Sequence, residues 1–288
     1  MNMKVDLCGV TLNNPVMTAS GTFGSGAEYA EFVDLNKLGA VVTKGVANVP
    51  WPGNPTPRVA EVYGGMLNAV GLQNPGIDLF VERDIPFLKQ FDTKIMVNVC
   101  GHSTEEYIEV VERLRDQPVD LLEINISCPN VKEGGIAFGQ DPKAVEAITK
   151  EMKKHAAQPV IMKLSPNVTD ITEMARAAEA GGADGLSLIN TITGMKIDIN
   201  RQKFVLANKT GGMSGPAIHP VAVRMVYQTA QAVRLPIVGM GGIMNAEDAI
   251  EMILAGATAV SVGTANFTNP HVTEEIAAGI RDYMERYQ

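Results

Sequence analysis

Leu121-Leu-Glu-Ile-Asn-Ile-Ser-Cys-Pro-Asn130 is the stretch of sequence from which both the fold and the chemistry can be approached. Its leucines and isoleucines predict a buried β-strand, which the proline ends directly after Cys128. The end of this strand is polar. Asn125 and Asn130 offer amide donors and acceptors, and a cysteine thiolate can act as a base or a nucleophile. A free cysteine is more often an inert core residue, so the role of Cys128 depends on what surrounds this strand.

Similar short apolar runs recur along the chain and alternate with amphipathic helical patterns. We predict eight strands, at Val16–Ser20, Ala40–Lys44, Lys94–Val99, Leu121–Ser127, Pro159–Leu164, Gly185–Asn190, Pro236–Gly239 and Ala259–Val262. Strands that alternate with helices pair in parallel through right-handed crossovers. Eight such units favour one α/β domain over residues 1–288, folded as a closed (β/α)8 TIM barrel. A hairpin at Val5–Pro15 should precede the barrel, and a helix at Val272–Tyr287 should close it.

A doubly wound open sheet is the main alternative fold. It would bind a dinucleotide through a G-x-G-x-x-G turn and a downstream acidic residue. The glycine-rich run Gly239-Met-Gly-Gly242 does not match that pattern, and no acidic residue is placed to hold a ribose. The sequence therefore favours the barrel.

Three long segments rich in Gly, Pro and Asn follow the second, fourth and sixth predicted strands. They are Gly45–Pro75, Cys128–Asp141 and Thr191–Pro220. All three leave the carboxyl ends of their strands, which is the face where barrel enzymes place their active sites. Long segments with little helical pattern are commonly functional. We therefore expect long loops at this face to carry the chemistry.

Composition and charge restrict the classes of function. The 288 residues carry a formal net charge of −8, so there is no basic excess for a nucleic acid or an anionic membrane surface. No run of 18 apolar residues and no signal-peptide core is visible, which predicts a soluble, cytoplasmic protein. The three cysteines are dispersed without a C-x-x-C pair. We therefore expect no disulfide framework, iron–sulfur cluster or other metal on this chain.

The predicted strands end in polar residues or glycines: Ser20, Lys44, Asn98, Asn125, Lys163, Asn190, Gly241-Gly242 and Gly263-Thr264. The two lysines end otherwise apolar strands, where an unpaired ammonium group is costly. Lys163 could form a Schiff base with a substrate, either lysine could pair with a carboxylate, or both could lie beside a bound anion. Such an anion could be a reduced flavin ring or a substrate carboxylate. The glycines after the last two strands let backbone N–H groups approach a phosphate.

Six motifs, in order and spacing along nearly the whole chain, resemble the dihydroorotate dehydrogenase family. They are Asn14-Pro-Val-Met-Thr-Ala-Ser-Gly-Thr-Phe-Gly24, Thr43-Lys-Gly45, Gly53-Asn-Pro-Thr-Pro-Arg58, Met66-Leu-Asn-Ala-Val-Gly-Leu-Gln-Asn-Pro-Gly76, Asn125-Ile-Ser-Cys-Pro-Asn130 and Ile189-Asn-Thr191. The chain looks most like class 1B, the catalytic subunit of the NAD-linked enzyme, because its Thr43–Arg58 and Met66–Gly76 runs resemble that class more than class 1A. The cysteine in the base position resembles class 1 rather than the membrane-bound class 2, which uses serine there. Related chains often have an arginine at the position of Trp51, so no role is carried over to that residue.

The resemblance implies oxidation of dihydroorotate to orotate on FMN, a step of pyrimidine (UMP) biosynthesis. By motif, Cys128 removes a proton from ring carbon five while carbon six gives hydride to flavin N5. The residues that match FMN contacts are Ser20, Lys44, Gly45, Asn98, Asn125, Lys163, Ile189, Gly215, Gly241, Gly242, Gly263 and Thr264. Those that match substrate contacts are Lys44, Asn68, Ala69, Val70, Gly71, Leu72, Asn125, Asn190 and Thr191, with Asn130 as a further candidate. The loop Pro129–Gln140 would be a lid over Cys128.

The chain has neither a dinucleotide motif nor a cysteine cluster, so the class 1B reaction needs a second subunit to pass electrons to NAD+. The resemblance implies that this subunit carries FAD and a 2Fe–2S cluster, in a heterotetramer of two plus two subunits. Other functions stay open at this point. A class 1A enzyme would act alone and use fumarate, and a related flavoprotein would accept dihydropyrimidines without a carboxylate. A lyase or isomerase barrel would use Lys163 as a Schiff base, and a barrel without catalytic activity would need no Cys128.

Overall fold

The computed structural model describes residues 2–126, 132–133 and 136–287, and its centre is a closed barrel of eight parallel strands. The strands are β1 (Val16–Thr18), β2 (Ala40–Val42), β3 (Lys94–Val99), β4 (Leu121–Asn125), β5 (Val160–Lys163), β6 (Gly185–Leu188), β7 (Ile237–Met240) and β8 (Ala259–Val262). Each strand pairs with its successor in the chain. Because Val260 of β8 pairs with Val16 of β1, the sheet closes on itself. The predicted (β/α)8 barrel is therefore confirmed, and the open doubly wound sheet is wrong.

Helices connect the strands. The longer ones are Thr104–Leu114, Pro142–His155, Ile171–Ala180, His219–Ala232, Ala246–Leu254 and Val272–Arg286. Shorter helical segments are Ile77–Leu79, the π-helical Phe80–Asp84, Ile85–Leu88 and Ala265–Thr268, with 3-10 turns at Tyr29–Glu31, Leu35–Lys37, Phe138–Gln140 and Pro216–Ile218. Polar side chains begin several of the longer helices; Ser103, for example, accepts a hydrogen bond from the N–H of Glu106. Among the described helices, none is both long and apolar enough to cross a membrane.

The amino-terminal end of the barrel interior is apolar and is covered by a hairpin. Strands Val5–Leu7 and Val10–Leu12 pair antiparallel, as the sequence predicts. Leu7 and Leu12 are fully buried and pack with inward-facing residues of the barrel such as Leu121. Because side chains alternate along a strand, Leu121 shares its face of β4 with Glu123 and Asn125. The interior thus changes from apolar to polar toward the carboxyl ends of the strands.

The long loops form a second sheet that the sequence analysis did not predict. Its four antiparallel strands lie in the order Ile192–Met195, Thr210–Ser214, Gly65–Asn68 and Val59–Val62. Two further two-stranded sheets pair Ile197–Asp198 with Lys203–Phe204, and Lys132–Glu133 with Ile136–Ala137. The four-stranded sheet joins the segments after β2 and β6, which are more than 100 residues apart in sequence. It brings the loop after Asn68 to the mouth of the barrel.

Candidate active site

A cavity of about 470 Å³ opens at the carboxyl ends of the barrel strands, within the usual size range of small-molecule sites. The described residues that the sequence nominated for cofactor or substrate contact all line it. They are Ser20, Lys44, Gly45, Asn68, Ala69, Val70, Gly71, Leu72, Asn98, Asn125, Lys163, Ile189, Asn190, Thr191, Gly215, Gly241, Gly242, Gly263 and Thr264. Cys128 and Asn130 lie outside the described residues, and of the predicted lid so do residues 129–131 and 134–135. The structure thus brings the nominated residues that it describes together around one cavity.

Lys163 ends β5 and lies at the floor of the cavity. Its side chain is 5% exposed, and its Nζ atom donates to Ser20 Oγ at 3.0 Å. The same ammonium group lies 3.4 Å from Oε2 of Glu123, whose side chain is completely buried. A buried charge is tolerated when it has a partner of opposite sign and hydrogen bonds. Of the uses considered for this lysine, the ion pair with a carboxylate is therefore present, and it leaves Nζ at the edge of the cavity.

A row of three asparagines crosses the same floor. Asn98 at the end of β3 donates from Nδ2 to Glu123 Oε2 at 2.5 Å. Asn125 Nδ2 donates to Asn98 Oδ1 at 3.4 Å, and Asn190 Nδ2 donates to Asn125 Oδ1 at 3.3 Å. The row ends where the N–H of Thr191 donates to Asn190 Oδ1 at 2.7 Å. Amide groups that line a cavity in this way can recognise a ligand that has both donors and acceptors.

Lys44 is a second cation at the cavity, following β2. Within the described residues it makes no salt bridge. Burial lowers the pKa of Lys44, and the positive charges of Arg58 and Lys163 lower it further, against the opposing effect of Cys100. A bound anion would relieve this repulsion, because an opposite charge favours the protonated lysine. The cavity therefore favours a negatively charged ligand near Lys44.

Glycines of three loops meet at one side of the cavity. Gly242 has φ +70°, and a Cβ atom there would lie 2.7 Å from the carbonyl oxygen of Gly215. Gly215 has φ +108°, and a Cβ atom there would lie 2.6 Å from Cα of Gly65. Both positions therefore require glycine for conformation and for space. The loops after β7 and β8 are the ones that form the recurrent phosphate site of barrel enzymes, and Thr264 adds a hydroxyl that donates to Ser214 Oγ at 2.8 Å.

The segment after Asn68 forms the opposite part of the wall. Asn54 holds it through two hydrogen bonds, from its Nδ2 to Ala69 O at 2.9 Å and from its N–H to Val70 O at 3.0 Å. Arg58 in turn donates from Nη1 to Asn54 O at 3.3 Å and from Nη2 to Gln73 Oε1. These contacts fix the backbone of a segment that has no regular structure of its own.

Comparison with known proteins identifies the family. The profile for dihydroorotate dehydrogenase matches residues 2–284. The chain belongs to the dihydroorotate dehydrogenase family. It is 73% identical over 288 residues to a Lachnoclostridium phytofermentans protein named dihydroorotate dehydrogenase B (NAD(+)), catalytic subunit, covering 100% of this chain and 96% of that protein. Proteins of the same name from Alkaliphilus metalliredigens and Alkaliphilus oremlandii are 67% and 65% identical, over 100% and 99% of this chain and 95% of each relative. The family predicted from the motifs is confirmed.

The cavity of this dihydroorotate dehydrogenase family member can be compared with the shape and charge of FMN, the cofactor that the sequence analysis expects. Gly215 and Gly242 line the cavity with backbone atoms alone, where a phosphate could approach. Lys163 supplies a cation at the floor, where negative charge on a reduced ring could be balanced. Lys44 and the asparagine row remain for a second, anionic and amide-like ligand. These residues fit the cofactor and a small substrate together.

Two residues with clear contacts at the site were missed in the sequence analysis. Glu123 supports the floor from below, and its presence on the same strand face as Asn125 was a signal that could have been used. Asn167 lines the cavity and donates from Nδ2 to Thr191 O at 3.0 Å, while its Oδ1 accepts from the N–H of Thr193 at 2.9 Å. Asn167 lies in a loop without any motif, so no sequence signal pointed to it.

Proposed function

We propose that this chain oxidises dihydroorotate to orotate on bound FMN, as a step of pyrimidine biosynthesis. The observation that carries the proposal is the convergence on one cavity of a glycine-lined wall, a paired lysine at the floor and a row of amides beside a second lysine. Family membership supports the same reaction. That the reaction takes place in the cytoplasm stays a prediction from the sequence.

Each group of residues has a role in this proposal. Bound FMN would supply the acceptor for the hydride that leaves ring carbon six. Cys128 would take the proton from ring carbon five onto Sγ, as the motif that contains it implies. Lys44 would bind the substrate carboxylate, and Asn68, Asn125 and Asn190 would orient the ring through amide hydrogen bonds. The glycines near Gly215 and Gly242 would hold the cofactor phosphate, and the Pro129–Gln140 lid would exclude water.

We further propose that a partner subunit takes the electrons onward to NAD+. Within the described residues no group of three or more His, Cys, Asp or Glu side chains is placed to hold a metal ion. The similar proteins are named catalytic subunits of NAD(+) enzymes, which agrees with a partner for this chain. The complex would contain two catalytic subunits and two subunits that carry FAD and a 2Fe–2S cluster. Co-purification with such a partner, and NAD+ reduction only by the complex, is the expected result; full NAD+ reduction by the isolated chain would contradict it.

No observation favours the Schiff-base alternative. A Schiff-base lysine needs an activated amine, whereas the Lys163 ammonium group is held between Ser20 and the carboxylate of Glu123. The relatives compared above are of the B type, which favours NAD+ over fumarate as the final acceptor. Trapping with borohydride separates these functions, because only a Schiff-base enzyme would become covalently attached to its substrate.

The proposal is tested by the visible spectrum of the purified chain and by the effect of dihydroorotate without oxygen. We expect flavin absorption bands that dihydroorotate bleaches, and much slower bleaching by Cys128→Ala. Cys8→Ala is the matched control, because Cys8 lies at the hairpin away from the cavity. The flavin of this variant should be bleached at the same rate as that of the unmodified chain. A chain that binds no FMN when supplied with it, or a Cys128→Ala variant that bleaches at the normal rate, would contradict the proposal.

A further inference from the structure

Glu123 is a completely buried carboxylate in the middle of β4, beneath the cavity. It does not itself line the cavity, and neither does its neighbour Ser187 on β6, among the described residues. Carboxylates are rarely buried in full, because the loss of hydration must be balanced by partners. The position of Glu123 is therefore unusual enough to require an explanation beyond the packing of the strand.

Three donors surround the carboxylate. Oε2 accepts from Asn98 Nδ2 at 2.5 Å and lies 3.4 Å from Lys163 Nζ, while Oε1 accepts from Ser187 Oγ at 2.7 Å. An ionised carboxylate can only accept, so each of these neighbours must present hydrogen to it. Two of the three, Asn98 and Lys163, also line the cavity. Glu123 thus holds two cavity groups from below.

The contact with Asn98 fixes the direction of the amide row at one end, as the N–H of Thr191 does at the other. Because Asn98 must present its NH2 group to the carboxylate, its Oδ1 faces Asn125, which in turn presents its own NH2 group to Asn98. The same order continues through Asn190 to the N–H of Thr191. An asparagine without such a neighbour could exchange its oxygen and nitrogen, whereas this row has one direction. The orientation of Asn98, which lines the cavity, therefore depends on a carboxylate that does not line it.

The contact with Lys163 also carries charge. Lys163 and Lys44 are both cations at the cavity, and Lys163 contributes to lowering the pKa of Lys44. The negative charge of Glu123 offsets the positive charge of Lys163 across 3.4 Å, and both side chains are buried. A negative charge that develops on a cofactor beside Lys163 is consequently stabilised less than it would be by an uncompensated ammonium group.

We propose that Glu123 is a positioning residue for the reaction proposed above: it orients Lys163 and Asn98 and offsets the charge of Lys163, which limits the stabilisation of the reduced cofactor. This inference rests on the proposed function. Its consequence is that the reduced cofactor is not held too strongly, so that its electrons can leave for a partner subunit. A residue that served packing alone would have no such effect, since an apolar side chain of similar volume could fill the strand position.

Glu123→Gln is the informative substitution because it preserves shape and removes charge. The glutamine oxygen can accept from Asn98, and its NH2 group can donate to Ser187, whose hydroxyl can rotate to accept. The direction of the amide row should therefore survive. Ser187→Ala is the matched control: it removes a hydrogen bond from the same carboxylate at the same depth and leaves the charge in place.

The measurement is the ratio of the dissociation constants of oxidised and reduced FMN, obtained from the midpoint potential of the bound flavin. We expect Glu123→Gln to shift this ratio at least tenfold toward the reduced form, which for a two-electron couple is about 30 mV upward. Ser187→Ala should shift it less than threefold. Orotate affinity should change less than threefold in both variants, because the amide row keeps its direction. A Glu123→Gln shift below threefold, a downward shift, or an equal shift in Ser187→Ala would overturn the proposal.

A second readout separates this proposal from the proposed function. The side-chain amide proton of Asn98, assigned by its absence in Asn98→Asp, can be observed by NMR in the FMN-free chain. A hydrogen bond to a charged carboxylate is stronger than one to a neutral amide, so Glu123→Gln should move this signal upfield and Ser187→Ala should move it far less. If the unmodified chain bound no FMN, the proposed function would be wrong. The change of the Asn98 signal in Glu123→Gln would still test whether Glu123 positions Asn98. An unchanged Asn98 signal in Glu123→Gln would refute the positioning role even in a chain that binds FMN.

Discussion

Lys163 and Ser20 join opposite sides of the barrel mouth through a 3.0 Å hydrogen bond. Lys163 ends β5 and Ser20 follows β1, and these strands lie diametrically opposite in the closed order of eight. The bond thus places an ammonium group near the barrel axis, where Glu123 also reaches it. The position of this cation is set by three strands at once, which explains how one lysine can be held accurately in a cavity that must admit a ligand.

Removal of the Lys163 ammonium group should lower the free energy of unfolding. Lys163→Met leaves the fully buried Glu123 carboxylate without its positive partner, and breaking a buried pair from one side typically costs about 3–5 kcal/mol. We expect a decrease of that order in the free energy of unfolding of the FMN-free chain in urea. The double variant Lys163→Met/Glu123→Leu should recover part of the loss because both charges are removed. A double variant that is less stable than Lys163→Met would contradict this account of the pair.

Lys44 should have opposite effects on stability and on ligand binding. Burial lowers its pKa, so between that lowered value and the ordinary 10.5 the unfolded chain binds more protons than the folded one. Stability then rises with pH across this window. Lys44→Met should make the FMN-free chain more stable at neutral pH, with a difference that shrinks as the pH rises. The same variant should bind orotate about thirtyfold more weakly, as expected for the loss of about 2 kcal/mol from a charged contact.

Urea unfolding at several pH values measures the predicted change in stability of Lys44→Met, and orotate titrations measure the predicted change in affinity. The matched control is Lys89→Met, which removes a lysine from an exposed position away from the cavity and should change neither quantity. A Lys44→Met chain that was less stable than the unmodified one at neutral pH would show that the buried charge has a partner that compensates it.

Gly242 should be essential for the phosphate of the cofactor. Gly242→Ala introduces a Cβ atom 2.7 Å from Gly215 O at φ +70°, so the backbone must shift where a phosphate is proposed to bind. We expect FMN to bind at least tenfold more weakly, and riboflavin, which lacks the phosphate, to be affected much less. Fluorescence titrations with both compounds measure the difference.

Gly182→Ala is the control for backbone strain alone. Gly182 has φ +89°, and the nearest atom to a Cβ there is Lys153 Cγ at 3.9 Å. This variant should lose about 1–2 kcal/mol of stability and bind FMN normally. Equal loss of FMN and riboflavin in Gly242→Ala would place the phosphate elsewhere.

Thiol labelling should single out Cys128. Burial and the charges of Asp184 and Asp6 raise the pKa of Cys8 to about 12, and Cys100 is fully buried. Neither should react with iodoacetamide in the folded protein near pH 8, because the thiolate is the reactive form. We expect one label per chain, on Cys128, with loss of activity and protection by orotate. Peptide mass spectrometry locates the label, and labelling that persisted at the same rate in Cys128→Ser would contradict the assignment.

The barrel could be predicted because its strands are short apolar runs with clear ends. All eight begin within one residue of the predicted start, and Leu121–Asn125 begins where the sequence analysis placed it. The sheet formed by Gly65–Asn68 and Thr210–Ser214 was not predicted, because glycine-rich segments have low strand propensity and pair here across distant parts of the chain. Single-sequence patterns report local preference, and this sheet exists through its long-range pairing.

The candidate site was predictable for the residues that face the cavity and less so for those behind them. Lys44, Asn98 and Lys163 end apolar strands, where a polar side chain is conspicuous in the sequence. Glu123 lies inside a strand, and its importance depends on Lys163, which comes from a neighbouring strand 40 residues later. The direction of the amide row follows from the contact of Glu123 with Asn98 and from that of Asn190 with the N–H of Thr191, and it has no signature in the sequence.

The central claim is tested most directly by an anaerobic titration of the FMN-loaded chain with dihydroorotate, with orotate measured in the same samples. The account predicts that flavin absorption decreases in proportion to added substrate and that one orotate forms for each FMN reduced. Flavin that keeps its absorption with excess dihydroorotate, or bleaching without orotate, would contradict it.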